Sequence, residues 1–212
     1  MISKILNTII EVLFNFTGDL GVAIVLITLI VKLILSPLDI QSKVILYKNN
    51  KLREEFESIK EKYKNNKDKM EEEQKKYEKE SLKNIKGCLG TLIQIPVVTS
   101  LYFTVTNINM EATTLIVPWV INIKEYDNYF FVPLIYILIS LAPTMISHFS
   151  YFKDKVNNKI DKKTIIPIII INLLISIKAP VALGIYFITS SLVNFIQELG
   201  FRLYIKNKKT IY

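Results

Sequence analysis

The stretch LGVAIVLITLIVKLILSPLDI, residues 20–40, decides the fold class. At 1.5 Å per helical residue it is long enough to cross a bilayer core of about 30 Å. From Leu20 to Leu35 it holds one charge, Lys32. That lysine sits about 12 residues into the run, roughly 18 Å along a helix. A charge near the bilayer centre costs about 2.5–3.5 kcal/mol on insertion scales. Such a cost is carried where water or a partner is close. Asp19, Asp39 and Glu198 all fall at the ends of apolar runs, so no buried carboxylate is expected to pair with Lys32. An unpaired mid-membrane lysine predicts a wet, electropositive cavity. The competing reading is snorkelling, in which the long side chain reaches the headgroups beyond Pro37.

The rest of the chain agrees with a membrane protein. Its 212 residues are 50% hydrophobic and 22% charged, with a mean hydropathy of +0.32. These values coexist because charge and apolar residues occupy separate blocks. The net charge of +8 fits nucleic-acid binding or basic cytoplasmic loops; the apolar blocks favour the loops. One cysteine, Cys88, excludes an intrachain disulfide and a CxxC metal site. One histidine, His148, leaves little for metal catalysis, and no cofactor is expected. The abundance of Lys, Asn and Ile suggests an AT-rich bacterial genome.

Further spans are read at 88–106, 129–151, 164–178 and 180–200. With 20–40 they make five transmembrane helices of an all-α membrane protein, a single unit over 1–212. The last two form a tight pair turning at Lys178 to Pro180. Of the 27 Lys and Arg, 23 fall in the segments 41–86, 152–163 and after 200. The positive-inside rule then places the N-terminus outside and the C-terminus, with a basic tail at 201–212, in the cytoplasm. Residues 2–16 are too short to span. Ile2, Ile5, Leu6, Ile9, Leu13 and Phe16 recur at helical spacing, with Lys4, Asn7, Glu11 and Asn15 opposite. This predicts an amphipathic helix on the outer interface. A signal peptide is the weaker alternative, since no A-x-A site follows.

Residues 43–86 read as a cytoplasmic helical hairpin. Leu52, Phe56, Ile59 and Tyr63 step by 4, 3 and 4, a coiled-coil seam. Asn65-Asn66-Lys67-Asp68 breaks it, and Met70, Tyr77, Leu82 and Ile85 form a sparser return stripe. Stripes this thin predict a weakly paired, mobile hairpin.

Polar positions mark other spans. Thr28 and Ser36 flank Lys32 at i−4 and i+4 on one face. Ser140, Thr144 and Ser147 lie in the third span, and Thr189, Ser190, Asn194 and Gln197 in the fifth. They line a wet cavity or make ordinary interhelical hydrogen bonds of about 0.6 kcal/mol each. Pro96, Pro133, Pro143 and Pro167 bend helices or free carbonyls. Tyr186 and Phe187 are either a contact surface for a passing apolar helix or packing residues. Trp119, His148 and Tyr151 suit interface anchoring.

These motifs resemble the YidC family of insertases. Thr28, Lys32 and Pro37 match its first core span. Gly87-Cys88-Leu89 and Ile93-Gln94-Ile95-Pro96 match its second. Pro180, Leu183, Tyr186, Phe187, Ser190 and Leu192 fit its last, and the order of elements agrees over about residues 2–205. Three positions depart. Lys32 stands where Arg is usual, Gly90 where Pro is, and Ser191 where Asn is. Lysine lacks the guanidinium fork and loses its proton more readily when buried.

The resemblance implies no covalent chemistry. It implies a hydrophilic groove open to the cytoplasm and laterally to lipid, lined by Lys32, Thr28, Gln94, Thr144, Ser190 and Asn194. A client's polar outer segment is drawn part-way across, and its apolar helix slides past the first and fifth spans, touching Tyr186 and Phe187. The implied partners are client membrane proteins and the lipid bilayer, with a ribosome and a Sec translocon as further candidates and no nucleic-acid sequence recognition. The implied location is the bacterial plasma membrane. Two other classes remain. A channel or proton-coupled transporter usually needs an intramembrane carboxylate. An intramembrane Ser-Lys hydrolase would pair Ser36 with a neutral Lys32.

Overall fold

In a computed structural model the chain is all helix and loop among the described residues, 2–64, 66–83, 89–107, 113–146 and 162–210. Seven helices follow in order: α1 (Ile2–Thr17), α2 (Leu20–Lys62), α3 (Lys67–Lys83), α4 (Leu89–Asn107), α5 (Phe131–Ile146), α6 (Lys162–Ile177) and α7 (Val181–Thr210). Among the described residues two helical stretches are long and apolar enough to cross a membrane, Leu20–Lys62 and Val181–Asn207. The expected spans at 88–106, 129–151 and 164–178 correspond to α4, α5 and α6. His148 and Tyr151, with the end of the third expected span, lie outside the described residues, as do Gly87 and Cys88.

The largest difference from expectation is continuity. The span at 20–40 and the first arm of the hairpin are one helix of 43 residues, about 65 Å long. Pro37 sits inside it without ending it. Likewise α7 continues past residue 200 to Thr210, so most of the basic tail is helical. The break expected at residues 65–68 includes residue 65, outside the described residues; α2 ends at Lys62 and α3 begins at Lys67, and both ends have local causes. Tyr63 closes α2 with its N–H on the Ile59 carbonyl. Asn66 Oδ1 then accepts the Lys69 N–H at 3.2 Å, capping α3. α3 folds back along the second half of α2, where Phe56 stacks on Tyr77 at 4.5 Å. Ile85 and the Leu82 side chain lie outside the description.

α1 does not present a single apolar face. Leu6 and Ile10 are buried in the core, and Leu13 and Phe14 pack beside them, against α2 and α4. Ile5, Val12 and Phe16 form a second apolar strip that stays exposed, Phe16 at 87%. Ile10, absent from the expected stripe, is one of the most buried residues. Gly18 takes the left-handed φ of +70° that ends α1, with its N–H on the Phe14 carbonyl at 2.7 Å. Asp19 then caps α2.

The core gathers where α1, α2, α4 and α7 meet, and α5 packs most extensively on α7. Gly184 permits that approach, since a Cβ there would run into Val132 of α5.

Candidate functional site

Two sets of polar groups stand apart from this apolar core. The first is a cap built around segment 113–130. Asp19 accepts from Val22 N at 2.9 Å, Leu115 N at 2.7 Å and Thr114 Oγ1 at 2.8 Å. Burial alone would raise its pKa. Those hydrogen bonds, from Leu115, Val22 and Thr114, outweigh burial and hold the carboxyl below its ordinary value. Asp127 accepts from Val132 N at 2.8 Å, Tyr129 N at 3.0 Å and Trp119 Nε1 at 3.2 Å, which starts α5. Trp119, expected as an interface anchor, thus also serves this cap. The carbonyls of Glu125 and Ile123 accept the first free N–H groups of α7, from Val181 at 2.8 Å and Ala182 at 2.9 Å. One loop therefore fixes the starts of α2, α5 and α7 together.

The second set is a polar seam between α2 and α7. Residues 28, 32, 36, 39 and 43 of α2 recur at steps of 4 and 3, so they share one face. Residues 186, 190, 194, 197 and 201 of α7 do the same. Lys32 Nζ donates to Asn194 Oδ1 at 3.0 Å. Gln197 Nε2 donates to Ser36 Oγ at 3.4 Å, and Lys43 pairs with Glu198 at 2.8 Å. Tyr47 meets Phe201 edge-on at 6.2 Å. The partners advance in step along both helices, so α2 and α7 run parallel.

Lys32 is 1% exposed. It is not unpaired. Asp39 Oδ2 lies 3.4 Å from its Nζ, with the Asp39 side chain only 11% exposed. The expectation of no carboxylate partner fails because seven residues are two helical turns: an aspartate at the end of the apolar run still shares the lysine's face, and the long side chain closes most of the gap. Removing an ammonium from water costs several kcal/mol, which an amide oxygen and a carboxylate partly offset.

The other expected site residues divide. Asn194 and Ser190 belong to the seam, and Ser190 shares a hydrogen bond with Tyr186. Thr28 is buried on the Lys32 face, but its hydroxyl donates to its own Ile24 carbonyl at 2.6 Å; Thr189 does the same to Ile185. Tyr186 is buried, and Phe187 stacks on Tyr136 of α5 at 5.2 Å. Gln94 and Thr144 are half-buried on α4 and α5, and the bonds that hold Lys32 reach neither. Ser140 accepts from Asn172 Nδ2 at 3.0 Å, so it ties α5 to α6. Ser147 lies outside the described residues. Ser36 is engaged with Gln197, and Lys32 with Asn194 and Asp39. Sequence reasoning missed Asp39, Lys43 and Glu198 as site members. The available signal was spacing: Asp39 stands three residues from Ser36, Lys43 four from Asp39, and Glu198 four from Asn194.

Known proteins resemble the chain over nearly its whole length. Residues 12–209 match the family described as 60Kd inner membrane protein. The chain is 27% identical over 208 residues to a membrane protein insertase YidC of Helicobacter pylori, covering 96% of this chain and 37% of that protein. It thus spans little more than a third of that relative. A YidC of Caldanaerobacter subterraneus is 25% identical over 94% of this chain and 93% of its own length. One of Fusobacterium nucleatum is 25% identical over 87% and 86%. With a family match across residues 12–209, the chain belongs to the 60Kd inner membrane protein family, the family of the YidC insertases.

Proposed function

We propose that this protein is a bacterial plasma-membrane insertase that moves short hydrophilic segments of client membrane proteins across the bilayer and releases their helices into lipid. In this reading α2, α4, α5, α6 and α7 are the five spans, with the N-terminus outside and the C-terminus cytoplasmic. The cap at 113–130 closes the outer end, and α1 wedges its exposed apolar strip into the outer leaflet. The second half of α2 and α3 project into the cytoplasm. The groove opens along the α2–α7 seam, with Gln94 and Thr144 on its flanks and Tyr186 and Phe187 toward the passing helix. No nucleotide or cofactor enters the step. Transfer of the client's apolar helix from water to lipid supplies the driving force.

The observation that carries this reading is Lys32, a buried ammonium held between two parallel apolar helices by Asn194. Such a charge is costly, about 2.5–3.5 kcal/mol, and marks a polar pathway in a membrane segment. The names of the relatives support the same function.

The test is complementation in a bacterium depleted of its own insertase, scoring growth and insertion of a small client with an acidic outer segment. Wild type and Lys32→Arg are expected to rescue, and Lys32→Ala to fail. Rescue by all three would remove the charge from the mechanism. A well-expressed wild type that inserts no client would overturn the insertase reading.

A further inference from the structure

Glu198 and Asp39 are the two carboxylates on the α2–α7 seam, and they are held differently. Glu198 is committed twice, to Lys43 at 2.8 Å and to Arg202 at 2.7 Å. Asp39 is ion-paired, among the described residues, with Lys32, at 3.4 Å. Charge-assisted N–H···O contacts usually close to about 2.7–2.9 Å. The Asn194 amide oxygen, at 3.0 Å, is nearer the ammonium than the carboxylate is. Lys32 is thus anchored by a neutral acceptor and only loosely neutralised by an acidic one.

Resting on the insertase reading, we propose that Asp39 is a tethered competitor for client carboxylates, occupying Lys32 in the resting protein and limiting how strongly an acidic client segment is preferred over a neutral one. A group on the same helix competes at an effective concentration set by its tether, in the mM range for short connections. An incoming Asp or Glu must displace Asp39, so one carboxylate replaces another and little is gained. A neutral segment leaves the pair intact. Without Asp39, Lys32 offers its whole charge to the acidic segment alone. Asp39 therefore narrows the difference between acidic and neutral clients and widens the range the groove accepts.

The experiment uses the full chain reconstituted in phosphatidylethanolamine–phosphatidylglycerol vesicles. Two versions of one small client are supplied, with acidic residues or the matching amides in the translocated segment. Protease-protected insertion rates give the acidic-to-neutral ratio. Asp39→Asn is expected to raise this ratio by about threefold, the size of a partly screened ion pair. Asp39→Ser should do the same, guarding against an effect peculiar to the amide, and Asp39→Glu should keep the wild-type ratio. A ratio that stays level or falls in both Asp39→Asn and Asp39→Ser, while wild type inserts both clients, would overturn the proposal; a fall would mean that Asp39 serves to keep Lys32 charged. If wild type inserts neither client, the insertase reading fails and this proposal falls with it.

Discussion

The two ends of α2 are built on opposite principles. At its start, Asp19 is buried and accepts three hydrogen bonds, and the neighbouring cap repeats the pattern at Asp127. At its far end the helix meets α3 through a thin apolar stripe and one aromatic stack, and the exposed ion pairs there, such as Arg53–Glu57 and Lys75–Glu71, each lie within one helix. Buried polar groups are costly to orphan, whereas exposed ion pairs contribute little. The cap end should therefore behave as a rigid frame and the α2–α3 arm as an appendage whose pairing is marginal.

The contrast can be broken most forcefully at Asp127. Replacing it by alanine leaves two backbone N–H groups and an indole N–H without their acceptor. Thermal unfolding in detergent should show a loss of about 3 kcal/mol. A change near zero would mean that the cap does not hold the helix starts together. Next comes Gly184→Ala, which drives a methyl into Val132 and should cost about 2 kcal/mol, with recovery when Val132→Ala is added. Smaller again, Phe56→Ala should loosen the α2–α3 arm by about 1 kcal/mol at most. Its effect should appear as faster amide exchange in 44–83 while the global melting temperature holds. Lys75→Ala should leave both readouts unchanged; a clear drop would show that the exposed pairs matter after all. The last effect depends on pH. Because the folded state holds the Asp19 carboxyl below its ordinary value, its stabilisation is full above the unfolded pKa of about 4 and is lost as pH falls through the lower folded value. Asp19→Asn should flatten the acid limb of the melting-temperature profile.

Much of this was legible from residue order. Hydrophobic runs of the right length placed α2, α4, α5, α6 and α7, because helix content depends on local length and apolar character. Asn66 marked the start of α3, because an Asn cap acts over three residues. Less legible were features that depend on what a helix touches. The α1 stripe was read without Ile10, since a helix packed on two neighbours buries more than one amphipathic face can. The tail and the hairpin arm were read as separate elements, yet α2 and α7 run on, because a polar sequence with good helix formers need not end a helix at the membrane surface.

The candidate site shows the same division. The sequence by itself determined that a lysine would stand inside an apolar helix beside threonine and serine, and that a second helix would carry Ser190 and Asn194 at matching spacing. Those are consequences of periodicity along one chain. Only the tertiary structure decided that α2 and α7 lie parallel with Lys32 on Asn194, that Asp39 turns back toward the same ammonium, and that the Ser140 oxygen accepts from Asn172. Pairing across helices depends on which faces meet and how far each side chain reaches, and neither is written in the spacing of a single segment.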